Sequence, residues 1–253
     1  MTVAVPTIRD ELRGRAAAVQ RVVTMSGVRF AWPGPRGFSL GSDTFTLDRG
    51  DRVLLLGPSG GGKSTFLSLI AGIVVPQAGS IDILGTDIAA LSGSSRDRFR
   101  AEHLGIIFQM FNLLAYGSVV DNVVLPLSFS RRRRERVIAR GGAQAEAMRL
   151  LGELGIAPEL ISDRAKASSL SVGQQQRVAA ARALIGAPEL IVADEPTSSL
   201  DRSRQQAFLD LLFAVVAEAG STLVMVSHDE TLADRFTRVV RLDDIATAGR
   251  EAA

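Results

Sequence analysis

Residues 52 to 72, RVLLLGPSGGGKSTFLSLIAG, set an apolar run, a glycine-rich turn, a lysine and two hydroxyl residues in immediate succession. Gly57, Gly62, Lys63 and Ser64 fit the pattern GxxxxGK[ST], in the strand-to-helix setting that this motif needs. Each residue type has its own use. Glycines let the backbone wrap a phosphate without Cβ clashes, and the unpaired N–H groups and dipole of the helix start bind its oxygens. Lys63 can reach β and γ phosphates, and the Ser64 hydroxyl can ligate Mg2+. The loop expected to hold a nucleotide is thus Gly57, Pro58, Ser59, Gly60, Gly61, Gly62, Lys63, Ser64 and Thr65. Arginine supplies almost all the positive charge of this chain, so a lysine at this position is not a product of composition.

A second run, PELIVADEP (188 to 196), is an apolar strand over Leu190 to Ala193 that ends in two carboxylates. Strand C-termini line the ligand crevice of a doubly wound parallel sheet, which brings Asp194 and Glu195 to the phosphate mouth. Asp194 is expected to hold the Mg2+ shell and Glu195 to polarise the attacking water. Acidic residues at a strand end are common on their own; the glycine-rich loop in the same chain gives these two their reading. A third stretch, LSVGQQQRVAAARAL (170 to 184), is a polar, glycine-containing start to an Ala-rich helix. Read alone, it is compatible with an ordinary N-cap at Ser171 or with a helix start that receives an anion.

The elements that must position these residues are those of a sizeable globular core. The chain has 253 residues, 46% of them apolar, with a formal net charge of +2. No uninterrupted apolar run approaches the ~18 to 20 residues that span a bilayer. AFLDLLFAVVAEAG (207 to 220) has Phe208, Leu211, Leu212, Val215 and Val216 at helical spacing, which predicts an amphipathic helix against the core. With no cysteine and two histidines, disulfides, thiolate chemistry and a histidine-rich metal site are excluded. Residues 1 to 20 contain acidic residues and lack the apolar centre of a signal peptide, so they read as an unprocessed extension of a cytosolic protein. The run RRRRER (131 to 136) reads as a solvated loop or helix end, or else as a contact for lipid headgroups or an acidic partner surface.

With these motifs in hand, residues 22 to 245 resemble the ATP-binding subunits of ABC transporters, and the motifs occur in the family's order. LSVGQ is similar to the family signature LSGGQ; Ser171, Gly173 and Gln174 match and Val172 departs. A β-branched residue avoids φ > 0, so Val172 is expected in a β or helical backbone region, as at a helix start. The resemblance implies a Q-loop at Gln109, touching Mg2+ and sensing a membrane partner. It implies a D-loop, SSLD (198 to 201), with Asp201 crossing to another subunit, and a switch histidine, His228, on the γ-phosphate. A lone histidine at a strand end would otherwise read as structural. Trp32 aligns with the aromatic that stacks on adenine, although Phe30, two residues earlier, competes for that role.

The fold implied is an α/β P-loop NTPase cassette: a RecA-like core, a β-rich N-terminal subdomain and an inserted helical subdomain. The extension would occupy 1–20 and the ABC ATP-binding domain 21–250, with the Q-loop and helical subdomain at about 110–172. A single copy of each motif implies that a second cassette, as a homodimer or with a similar subunit, completes the ATP site. The cassette would lie peripherally on the cytoplasmic membrane face and drive separate permease chains. GIIFQMFNLLAYGSVVDNVVLPL (105 to 127) is similar to the lipoprotein-releasing, macrolide-export and cell-division ATPases, and LDDIATAG (242 to 249) departs where a glycine usually follows the Asp. The expected function is ATP hydrolysis that powers export, lipoprotein extraction or mechanical transmission; the alternative is an adaptor that gates a cell-wall hydrolase without transport. Long coiled coils, zinc motifs and a tandem cassette are not visible, so no nucleic-acid partner is expected.

Overall fold

A computed structural model describes residues 20–34, 37–161 and 165–250. The expected 1–20 extension lies, apart from Gln20, outside the described residues. The chain begins with β1 (Arg21–Ala31) and β2 (Phe38–Asp48), an antiparallel pair in which Met25 faces Phe45. It continues through β3 (Arg52–Leu56) into α1 (Lys63–Ile70), then β4 (Ala78–Ile83) and β5 (Thr86–Asp87). Next come α2 (Gly93–His103), β6 (Leu104–Ile107), α3 (Val119–Val124), α4 (Arg131–Ile138) and α5 (Ala143–Glu153). The last third holds α6 (Val172–Leu184), β7 (Leu190–Asp194), α7 (Arg202–Glu218) and β8 (Thr222–Ser227). It closes with β9 (Arg238–Arg241), a single-turn α8 (Leu242–Ile245) and β10 (Thr247–Arg250).

Two five-stranded sheets result. One is antiparallel in the order β10-β2-β1-β4-β5, and the other is parallel in the order β6-β7-β8-β3-β9. The parallel sheet is covered on both faces, and the period-2 alternation of its strands sorts the cover. Leu54, Leu56, Leu223 and Met225 join a core with the helical segment and α7, whereas Val53, Leu55, Val224 and Val226 join a core with α1 and the antiparallel sheet. These apolar runs were readable as strands because burial on both faces needs no polar alternation. The predicted amphipathic helix is α7, with Phe208, Leu212, Val215 and Val216 buried. Gly105 on β6 lets α6 lie close: a Cβ there would come within 2.2 Å of the Ala183 carbonyl oxygen.

The arginine run opens a helix that is solvated at Arg131, Arg132 and Arg134 and anchored at Arg133 and Arg136. Arg131 pairs with Glu135 at the surface, but Arg133 is only 2% exposed and donates to the carbonyls of Ile185, Leu104 and Ala183 at 2.7, 3.2 and 2.9 Å. Arg134 donates to the Leu127 carbonyl. Arg132 and Arg136 converge with His103 on Glu189. Burial opposes the charge of Glu189, yet hydrogen bonds from His103 and Arg136 bring its carboxyl down to about 2. Through Arg132, Arg133 and Arg136 the run fastens α4 to the turn between α6 and β7, while Arg131, Arg132 and Arg134 keep exposed surface. At the C-terminal end, Leu242 to Ile245 make a helical turn, so the backbone after Asp243 needs no glycine.

Candidate active site

The loop from β3 to α1 is closed around its own cation. Gly60 and Gly62 adopt φ of +76° and +95°. A Cβ on Gly62 would lie 2.5 Å from Phe38 Cζ, so this position needs glycine for both its dihedral and its space. Lys63 is 5% exposed, and its ammonium donates to the Gly57 and Pro58 carbonyls, each at 2.9 Å. Its third neighbour is Glu195 Oε1 at 3.4 Å.

Glu195 follows β7 with its N–H bonded to the Val226 carbonyl and its φ at +42°, a left-handed conformation that costs a non-glycine residue free energy. The surrounding sheet and the Ser198 N–H to Glu195 carbonyl turn hold it there. The result aims the carboxylate between two partners: Oε1 to Lys63, and Oε2 to His228 Nδ1 at 3.2 Å. His228, just past β8, is otherwise exposed to solvent.

Asp194 ends β7 beside Ser64. Burial raises its carboxyl above the usual range, with Glu195 adding repulsion, while a hydrogen bond from Ser64 and the Lys63 charge pull the other way. Its Oδ1 is buried without a hydrogen-bond partner among the described residues. A buried carboxylate oxygen without a partner next to a serine hydroxyl is a hard-oxygen donor pair, and it fits the few direct protein ligands that Mg2+ takes beside a phosphate. The two residues would hold that ion; Gln109, exposed at the cleft lip, is the third candidate.

Trp32 stands at the other end of the cleft. The Gln77 side chain bonds both the N–H and the carbonyl of Ala31 at 2.8 Å, extending the strand pairing and fixing the backbone that presents the indole. Trp32 Nε1 donates to Thr65 Oγ1 at 3.2 Å, and the ring stands edge to face on Phe30, centroids 5.1 Å apart. Phe30 is buried beneath it, so of the two aromatics Trp32 is the one with an exposed ring. Trp32, Phe38, Ser59, Lys63, Gln109 and Glu195 are among the residues lining one cleft of about 420 Å3. Phe38 carries no signal in sequence, where it is a single phenylalanine after a Gly/Pro loop.

Ser171, Gly173 and Gln174 lie elsewhere. Ser171 N-caps α6 in a capping box: Gln174 N–H donates to Ser171 Oγ at 3.4 Å, and Ser171 N–H donates to Gln174 Oε1 at 2.9 Å. Val172 is the first helical residue and is 49% exposed, consistent with the backbone region expected for it. These residues line a second cavity of about 600 Å3, together with Ser199 and Leu200, that shares no residue with the cleft at Lys63. Asp201 caps α7, accepting from Arg204 N–H at 2.9 Å, and is in neither set. At its far end α6 carries Arg182, which donates to the carbonyls of Phe111 and Asn112, two consecutive residues with φ of +58° and +50° in the loop after Gln109. The lone arginine in an Ala-rich run was the available clue to that clamp. Together, the first cleft offers a buried cation, oxygen ligands for a metal, a polarising carboxylate and an aromatic face, which is the equipment for phosphoanhydride hydrolysis.

A family model described as ABC transporter matches residues 40–198. The chain is 40% identical over 220 residues to the lipoprotein-releasing system ATP-binding protein LolD of Novosphingobium aromaticivorans, covering 83% of this chain and 93% of that protein. It is 37% identical over 204 residues to the macrolide export ATP-binding/permease protein MacB of Rhodopirellula baltica, covering 79% of this chain and 28% of that protein. Among solved structures, the dimeric post-hydrolysis state of the ATP-binding cassette MJ0796 bound to ADP and Pi superposes with a TM-score of 0.75 at 30% identity, covering 91% of this chain and 99% of that one.

Proposed function

The chain belongs to the ABC transporter family as an ATP-binding, ATP-hydrolysing subunit, and from that premise we propose that two copies close on ATP to drive a separate membrane permease. The observation that carries this reading is the division of the machinery. The cleft with Lys63 and Glu195 and the cavity with Ser171 and Gly173 share no residue, so one chain presents two half-sites on separate surfaces. A second copy would bring its Ser171 helix start to the γ-phosphate in the first copy's cleft. Such a device is isologous: each chain gives what it receives.

Within the cleft, an incoming phosphate takes the Lys63 ammonium from the Gly57 and Pro58 carbonyls, while Trp32 offers its face to the base. Ser64 and Asp194, with Gln109 at the lip, would hold Mg2+, which would supply charge neutralisation for the phosphates. Glu195 polarises the water, and His228 holds the carboxylate and meets the γ-phosphate.

Support for a membrane partner comes from the surface beside the Q-loop. Met110 and Tyr116 in that loop are exposed, and so is Phe129, which lines an apolar groove of about 480 Å3 with Phe108 and Leu125. No helix among the described residues is long and apolar enough to cross a membrane. The relatives named for lipoprotein release and macrolide export favour a permease of that kind.

Glu195→Gln tests the reading. It should keep ATP binding, lower turnover by ~10^2 to 10^4-fold as the loss of a general base does, and trap a dimer with ATP and Mg2+ on sizing chromatography. A monomer under those conditions, with turnover unchanged, would overturn it.

A further inference from the structure

The cavity on the signature side holds a polar group that neither the capping box nor the nucleotide reading uses. Gln176, in the second turn of α6, is 0% exposed, and neither Oε1 nor Nε2 of its amide has a hydrogen-bond partner among the described residues. Its neighbours are satisfied: Gln174 closes the box on Ser171, and Gln175 Nε2 donates to the Leu170 carbonyl at 2.9 Å. A buried amide with both ends unpaired lowers stability relative to an apolar side chain of the same size, so its presence points to a state in which both ends are paired.

The cavity wall facing α6 supplies the counterpart. Ser199 and Leu200 line it with Gln176. Ser198 and Leu200 are tied into the turn, their N–H groups donating to the Glu195 and Thr197 carbonyls at 3.2 and 3.1 Å. Ser199 between them makes no hydrogen bond, through backbone or hydroxyl, to the described residues. The buried Gln176 amide and the exposed Ser199 thus border one cavity of about 600 Å3, and the polar groups of each bond to no described residue. The same turn begins at Glu195, which has φ of +42° and whose carbonyl accepts the Ser198 N–H.

We propose that Gln176 is a positioning residue for hydrolysis: when two chains close on nucleotide, its amide takes the Ser199 turn as partner, draws residues 198–201 onto α6 and thereby fixes Glu195. This inference rests on the two-copy reading above. In the single chain the amide waits unpaired, so the cost is paid in the open state and recovered on closure.

The test is Gln176→Met in the full chain, alone and together with Glu195→Gln. The thermal midpoint should equal or exceed the parent's, and ATP affinity of the separate chain should stay within about twofold. ATP-driven dimerisation, measured in the Glu195→Gln background, should weaken at least ~tenfold, equivalent to ~1.4 kcal/mol at 25 °C. Turnover at saturating ATP in the Glu195 protein should fall in step. A midpoint lowered by more than a few degrees would make the amide a folding element and overturn the inference. Unchanged dimerisation and turnover would do the same, leaving Gln176 as the lining of a hydrated cavity. Should Glu195→Gln alone form no dimer with ATP, the two-copy reading itself falls, an outcome visible in the control.

Discussion

Gly62→Ala probes the claim that the phosphate loop is held by geometry rather than by contacts. The new Cβ meets two separate penalties. At φ +95° an alanine backbone is strained by ~1 to 3 kcal/mol. A Cβ 2.5 Å from Phe38 Cζ and 3.0 Å from Cε1 forces the ring or the loop to move, at a further ~1 to 3 kcal/mol. The sum, ~2 to 6 kcal/mol, appears either as lost stability, if the loop stays in place, or as lost ATP affinity, about 30-fold for each ~2 kcal/mol, if the loop gives way. Chemical denaturation and ATP calorimetry on the same sample read both. Gly62→Ala/Phe38→Leu removes the ring atoms that collide and should restore the steric part while leaving the dihedral part. An alanine variant unchanged in both stability and affinity would refute the geometric account, and a double variant without recovery would refute the role of Phe38.

Two further expectations concern other parts of the molecule. Glu189→Gln removes a carboxylate whose pKa is depressed to about 2 in the folded chain, so it should cost ~3 kcal/mol at pH 7. Because a depressed carboxyl contributes above its unfolded pKa and ceases to contribute as pH falls to the folded one, parent and variant should converge between about pH 4.5 and pH 2 in acid-unfolding curves; a constant difference across that range would contradict the hub. Val172→Gly should change turnover by no more than a few fold, since Val172 is exposed and the cap is made by Ser171 and Gln174; a loss of tens of fold in steady-state kinetics would give Val172 a role that its position does not suggest.

What could be read in advance was local. Lys63, Ser64, Asp194 and Glu195 are set by short motifs whose backbone context is contiguous, and β3, β7 and β8 announce themselves as apolar runs. The failures share a different cause. Of four consecutive arginines that read as solvated, Arg133 is buried, because nothing in residues 131 to 136 reveals the Ala183 and Ile185 carbonyls, some 50 residues away, that the fold turns towards it. Phe38 joins the cleft only because the antiparallel sheet lays the start of β2 over Gly62. Asp201 caps α7 within its own chain, a use that sequence reading did not assign and that stands beside its expected reach to another subunit. β10, reading TAGR, has no apolar pattern; its pairing along β2 follows from tertiary context.

The Lys63 to Glu195 contact also sets the order of events in the reading proposed here. While the ammonium sits 3.4 Å from Oε1, it holds that oxygen of the carboxylate in an ion pair. A γ-phosphate that claims the lysine removes that partner and leaves Glu195 with His228 alone. In that reading the bound ligand changes the partners of Glu195 from two to one.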